Sequence, residues 1–321
     1  MLLGRTMRNP MTKVERYCLY GHLVAMAFGL AGLLWVVPHA EILQYIPAGQ
    51  TMFRWSMAGG GVGYIVLGTI AVSLFAYRTM GFKALGLFAG AAIGISLASE
   101  LLGTSTGFPF GHYTYLNGLG YKVAGLVPFT IPLSWFYLGL SSLLLARGGL
   151  LSQTGPGRYF WGRSVLAIAI GAALLTSWDF VLDPAMSQTA LPFWYWHQPG
   201  AFFGMPYQNF AGWFGTGVIF MTVGTLGWYG FKVVPSLQAD ELTLPLVVYI
   251  ANFAFALVMS LGAGFYVPIA LGLVTGVTPA VWCYWSAKQQ QQRSSVTLVE
   301  SASSVAQAVE SSVAPAKVVV K

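Results

Sequence analysis

The chain reads as an all-α polytopic transmembrane helical bundle of about eight helices, on three grounds. Only 8% of its 321 residues are charged, where soluble domains carry roughly a quarter. Its mean hydropathy is +0.67. Its apolar runs come in lengths of about 20 residues, which is what an α-helix needs to cross a hydrocarbon core about 30 Å thick.

Each element follows from where charge or Pro/Gly turns interrupt those runs. The first window, about 17–37, begins after Arg16 and is too long for the apolar region of a cleavable signal. Windows at about 55–77 and 83–102 are set off by Arg54, Arg78 and Lys83, and one at about 124–146 lies between Lys122 and Arg147. The fifth, about 164–183, runs from Arg163 to Pro184, and the sixth, about 210–231, ends at Lys232. The last two, about 244–264 and 267–286, are separated only by Gly264, Phe265, Tyr266 and Pro268, so one kinked segment is the alternative there.

With eight crossings and a cytoplasmic N-terminus, all 16 Lys and Arg except Arg54 and Lys122 collect on the cytoplasmic side, as retention of positive charge in the cytoplasm demands. Both termini are therefore expected inside. Three regions result: a cytoplasmic segment 1–16, a transmembrane catalytic domain 17–286, and a tail 287–321. After Trp285 the composition turns to Gln, Ser, Val and Ala without aromatic residues, so the tail is expected to be disordered. Glycines inside the helices, such as Gly59, Gly60, Gly61, Gly63 and Gly68, are read as close helix packing.

Composition closes off several functions. Two cysteines, Cys18 and Cys283, make neither a disulfide framework nor a cysteine-rich zinc site. The formal charge of +7 reflects topology rather than nucleic acid. No paired-Asp prenyltransferase motif or His-x3-His is present, and the glycine-rich loop lacks the Gly-Lys-Ser/Thr ending of a phosphate cradle. No metal is expected. Haem ligation by His22 is the remaining cofactor reading.

Chemistry gathers on three acids in apolar surroundings, Glu100, Asp179 and Asp183. A carboxylate there costs about 2.5 to 3.5 kcal/mol on insertion scales, so such groups face a bundle interior, pair, or work. Asp179 and Asp183 are four apart and share a helical face, and the topology puts Glu100 on the same membrane side. Acids clustered in a low dielectric cannot all be ionised together, which supplies one as general acid and another as base. Their structural alternative is capping of the backbone around Pro184 and, for Glu100, holding of the loop that follows it.

That loop, Gly103-Thr-Ser-Thr-Gly-Phe-Pro-Phe-Gly-His-Tyr-Thr-Tyr115, offers His112, Tyr113 and Tyr115 as polar tips on apolar bodies. A second, Pro192-Phe-Trp-Tyr-Trp-His-Gln-Pro-Gly200, is dense in aromatic residues. Trp194 and Tyr195 read either as interfacial anchors or, with Trp196 and His197, as the wall of a cation-stabilising pocket. Asn209 is placed to orient a water. The likeness of the two loops is compositional only.

Four blocks in order then carry a family likeness: Glu100 with the loop above, Val127-Pro-Phe-Thr-Ile-Pro-Leu-Ser-Trp135, Trp178-Asp-Phe-Val-Leu-Asp-Pro-Ala-Met186, and Phe203-Gly-Met-Pro-Tyr-Gln-Asn-Phe-Ala-Gly-Trp213. Over about residues 15–285 the chain resembles the membrane carotenoid 1,2-hydratases, of the cyanobacterial γ-carotene 1',2'-hydratase and archaeal bisanhydrobacterioruberin hydratase types. The resemblance implies a hydro-lyase that needs no cofactor and adds water to the terminal double bond of an acyclic ψ-end group, leaving a tertiary hydroxyl. It implies Asp183 or Glu100 as acid, the other carboxylates as base, and Tyr113, Trp194, Trp196 and Trp213 as cation stabilisers, with Trp135 also at the substrate. Expected partners are a carotenoid drawn from the bilayer of the cell or an internal membrane, water as co-substrate, and other enzymes of the carotenoid pathway. The alternatives are a carotenoid or isoprenoid binding or transport protein, and an isoprenoid cyclase or isomerase.

Overall fold

The computed structural model describes residues 10–151, 159–189 and 191–313. Helix α1, Lys13–Ala31, begins where the Thr12 hydroxyl accepts the Glu15 N–H at 3.1 Å, satisfying one of the donors a helix start leaves free. A π-helical turn, Gly32–Val36, prolongs it. After a short 3₁₀ turn at Ala40–Gln44 comes α2, Gly49–Thr106. Its 58 residues are far more than one crossing uses. The chain breaks the helix at Gly81, whose φ of 82° and ψ of 164° no helix accommodates, and so folds the second and third expected spans into two arms. Beside the break, the buried Glu15 carboxylate takes both ends of the Arg78 guanidinium at 2.8 Å.

Four short strands flank the central helices, three before the first of them and one after the second. They are β1 (Tyr113–Tyr115), β2 (Lys122–Val123), β3 (Val127–Pro128) and β4 (Trp194–Trp196). The remaining helices are α3 (Thr130–Leu151), α4 (Phe160–Ser187), α5 (Tyr207–Gly230), α6 (Thr243–Gly262), α7 (Tyr266–Gly272) and α8 (Thr278–Val313). A π-helical turn, Leu273–Val277, joins α7 to α8 over the eighth expected window. Every expected window overlaps helix, although the fourth begins six residues early, its 124–129 forming a turn and β3 before α3, and Gly264, with φ of 78°, makes the turn that separates the last two. Among the described residues six segments are long and apolar enough to cross a membrane, the whole of Gly59–Thr106 counting as one. The basic residues Arg5, Arg8, Arg158, Lys317 and Lys321 lie outside the described residues.

Helix α3 is the axis of the bundle, packed against α2, α4, α6 and α8 and buried along nearly its whole length. Apolar residues all round its surface explain that position, since a helix with no polar face has no side to give to water. At one end of the bundle Phe88 stacks on Trp228 with ring centres 5.4 Å apart. The Trp228 indole N–H donates to the Ala84 carbonyl at 2.8 Å, which ties α5 to α2.

Of the tail expected to be disordered, 287–313 forms the end of α8, and 314–321 lies outside the described residues. Lack of aromatic residues denies this stretch a core, but its Ala, Gln, Glu and Ser are compatible with helix and no Gly or Pro interrupts it before Pro315.

Candidate active site

Strands β1 and β4 lie in the two aromatic loops, and they pair with each other. The antiparallel register sets Tyr113 against Trp196, Thr114 against Tyr195 and Tyr115 against Trp194. Alternate strand residues face opposite ways, so Tyr113, Tyr115, Trp194 and Trp196 turn inward and are buried, while Tyr195 is exposed. The sheet forms a lid over the ends of α2 and α4, where the three acids sit.

Beneath it lies a cavity of about 50 Å³ lined by Glu100, Asp179, Asp183 and Asn209 and by Tyr113, Tyr115, Trp135, Trp178, Trp194, Trp196 and Trp213. None of the acids is more than 2% exposed, and among the described residues none forms an ion pair. Neutral donors surround them instead. Glu100 accepts the Tyr113 phenol, the Tyr115 phenol at 2.9 Å and the Trp135 indole N–H at 2.9 Å. Asp183 accepts the Trp196 indole at 2.9 Å, the Ser187 hydroxyl at 3.0 Å and the Trp194 indole at 3.3 Å on one oxygen. Its second oxygen faces the Asn209 amide at 3.3 Å. Among the described residues Asp179 takes only the Asn209 amide, at 2.7 Å. The Tyr113 and Tyr115 phenols are pushed well above the ordinary tyrosine range, first by burial and then by the Glu100 carboxylate beside them. They are therefore neutral donors at any physiological pH.

Helical spacing explains the convergence on α4. Trp178, Asp179, Leu182, Asp183 and Met186 follow the three- and four-residue steps of one helix face, and all five line the cavity. The helix runs through Pro184 to Ser187, and no described backbone N–H donates to either aspartate carboxyl, so capping does not explain these groups. Glu100, in contrast, does hold its loop, since two of its three donors are β1 tyrosines. Trp213 of α5 stacks on Trp135 of α3 at 4.0 Å and 20°, closing the aromatic wall.

Every expected site residue lines this cavity except His112 and His197. Both are exposed; the His197 ring bonds the Thr114 hydroxyl at 2.8 Å on the outer face of the lid, with the His112 ring 6.0 Å away. The cause is register: each sits next to an inward residue and so points out. Residues not singled out from sequence include Trp178, Tyr64 and Phe110. The α4 stripe gives a signal for Trp178; a lone Tyr64 in a glycine-rich helix and Phe110 in an aromatic loop give none.

His22 belongs to a separate network. One ring nitrogen contacts the Tyr64 carbonyl at 2.7 Å and the other the Asn252 amide at 3.1 Å, leaving no nitrogen for haem iron. Among the described residues no group of three or more His, Cys, Asp or Glu is arranged to hold a metal ion.

Comparison with known proteins bears on the family of the chain. The family described as carotenoid biosynthesis protein matches residues 60–279. A stretch of 133 residues is 32% identical to bisanhydrobacterioruberin hydratase of Haloarcula japonica, and covers 41% of this chain and 42% of that relative. The chain thus spans less than half the length of the curated relative it matches. No solved structure matches.

Proposed function

The chain belongs to the carotenoid biosynthesis protein family, and from that premise we propose that it is a carotenoid hydratase acting on the terminal 1',2' double bond of an acyclic ψ-end group. The observation that carries the reading is the cluster of Glu100, Asp179 and Asp183, buried together without a cation inside an aromatic wall. Hydration of a trisubstituted alkene needs a proton donor, a stabilised tertiary cation, and a base for water. A carboxyl proton adds to C2', leaving the cation at C1'. Water then bonds to C1' and gives up a proton to a second carboxylate, and the return of that proton to the first carboxyl within the cluster restores the acid, so that the net change is one water added.

Hydrogen bonding distributes these roles. Donors stabilise a carboxylate, and Glu100 and Asp183 accept three and four of them. Asp179, with a single amide, is the natural carrier of the proton, which moves the acid role away from Asp183 and Glu100. Asn209 bridges Asp179 and Asp183 and so holds donor and base in register. The faces of Trp135, Trp178, Trp194, Trp196 and Trp213 supply the negative potential that a cation requires. In this reading the protein is a multi-pass protein with its basic side cytoplasmic, taking its substrate from the bilayer and needing no cofactor.

Expression in a bacterium that makes lycopene or γ-carotene tests it. A more polar pigment about 18 Da heavier (one water), with an unchanged visible spectrum, is the expected product. Unchanged mass with altered retention would replace hydration by isomerisation or cyclisation.

A further inference from the structure

The acid cavity is far too small for the substrate it is proposed to serve. At about 50 Å³ it holds a few waters, each needing roughly 10–15 Å³, and is about a third of the roughly 150 Å³ cavity that admits a benzene ring. Only a partition of Tyr64, Leu119 and Met186, which line both spaces, separates it from a second hollow of about 140 Å³. That hollow runs between α1 and the first arm of α2, is almost wholly apolar, and passes Phe28, whose side chain is 66% exposed on the flank of the bundle.

Its walls are made by glycines that pack on almost nothing. A Cβ built on Gly32 or Gly63 would meet no atom within 4 Å, and on Gly29 or Gly60 nothing closer than 3.8 Å. Gly61, which also lines the hollow, and Gly68 on the same helix are packing glycines, where a Cβ would strike the Gly118 carbonyl or the His22 ring. Gly29 and Gly32, like Gly60 and Gly63, are three apart and share a face of their helix. These two pairs of absent side chains, one on α1 and its π-helical extension and one on α2, leave a smooth slot that reaches the exposed Phe28 at one side and is closed from the acids by that partition.

Resting on the hydratase reading, we infer that this slot binds the polyene chain of the carotenoid, which enters sideways from the bilayer with its ψ-end first. The end group displaces the Tyr64, Leu119 and Met186 partition to reach the carboxyls, while the rigid chain stays between α1 and α2. The glycines are there because a flat polyene needs the room that side chains would fill.

The test uses the full chain with Gly63→Leu, Gly60→Leu and Gly63→Ala, and with Gly90→Leu as control, since Gly90 is exposed on α2 and has nothing within 4 Å of its Cβ position. Two quantities are read in lycopene- or γ-carotene-producing cells: hydrated pigment per unit of membrane-inserted protein, and pigment absorbance retained by the purified protein. Gly63→Leu and Gly60→Leu should lose at least tenfold in both, with unfolding temperature unchanged, and Gly90→Leu should match wild type. Gly63→Ala guards against misfolding: alanine favours helix over glycine, so any fall in pigment binding there comes from the slot. Wild-type hydration and retention in all three slot variants overturns the inference and leaves the hydratase reading intact. If wild type retains pigment without hydrating it and Gly63→Leu releases it, the slot stands and the hydratase reading falls. A wild-type protein that neither hydrates nor retains pigment overturns both.

Discussion

Two buried polar clusters share this bundle and are finished in opposite ways. Around His22 the polar groups answer one another: the ring spans the Tyr64 carbonyl and the Asn252 side-chain amide, the Asn252 side-chain oxygen accepts the Tyr137 phenol at 2.8 Å, and the amide also donates to the Val248 carbonyl at 2.8 Å. No acid takes part, and His22, Asn252 and Tyr137 do not line the acid cavity. The acid cluster has three carboxyls, a space beside them, and one carboxyl with a single donor. Polar groups within a membrane bundle therefore do not by themselves mark chemistry. A saturated network locks helices together, whereas spare acceptor capacity facing a void is what a reaction can use.

The sharpest way to break that contrast is Asp179→Asn. The amide keeps an oxygen for Asn209 and nearly the same shape, but has no proton to give. Loss of a general acid costs on the order of 10²- to 10⁴-fold, so the hydrated pigment should fall by at least a hundredfold while thermal unfolding in detergent stays near wild type. Full turnover in this variant would move the acid elsewhere in the cluster.

Asn252→Ala should do the reverse. It strips partners from His22 and Tyr137, and each buried polar group left unpaired costs about 1–3 kcal/mol. The unfolding temperature should drop clearly, yet protein that remains folded should hydrate within about twofold of wild type, since a polar network outside the cavity contributes to stability rather than to a proton transfer of 10²-fold or more. A loss of turnover per folded molecule comparable to Asp179→Asn would erase the distinction between the two clusters.

Much of this arrangement is legible in the sequence because the bilayer is a simple solvent. Hydropathy and charge locate the helices of the bundle, and the cost of a carboxyl in hydrocarbon singles out Glu100, Asp179 and Asp183. What stays hidden is non-local. The pairing of β1 with β4 joins segments some eighty residues apart in sequence, and composition alone gives two similar loops rather than one lid. Tyr-Thr-Tyr and Trp-Tyr-Trp do carry strand-forming residues, but three residues are too few for a period to declare itself. The glycines are hidden for another reason: Gly61 and Gly63 look alike until their neighbours are known, one meeting a carbonyl and the other open space.

The lid also separates residues that sequence placed together, and this gives the smallest expected effect. His112 and His197 belong to the same loops as Tyr113 and Trp196, and histidine is the side chain most often used to move protons near neutral pH. Yet strand alternation points them away from the acids, and their hydrogen bonds lie on the outer face, through Thr114 and His197. His112→Ala and His197→Ala should therefore each leave hydration within about twofold of wild type, because neither removes one of the general acid–base groups whose loss costs 10²-fold or more. The double variant should behave alike, with a modest fall in unfolding temperature from loss of the bond across the lid. A hundredfold loss in either single variant would mean that protons reach the cluster through the lid from outside, and the acids would then be one end of a relay rather than the whole of the machinery.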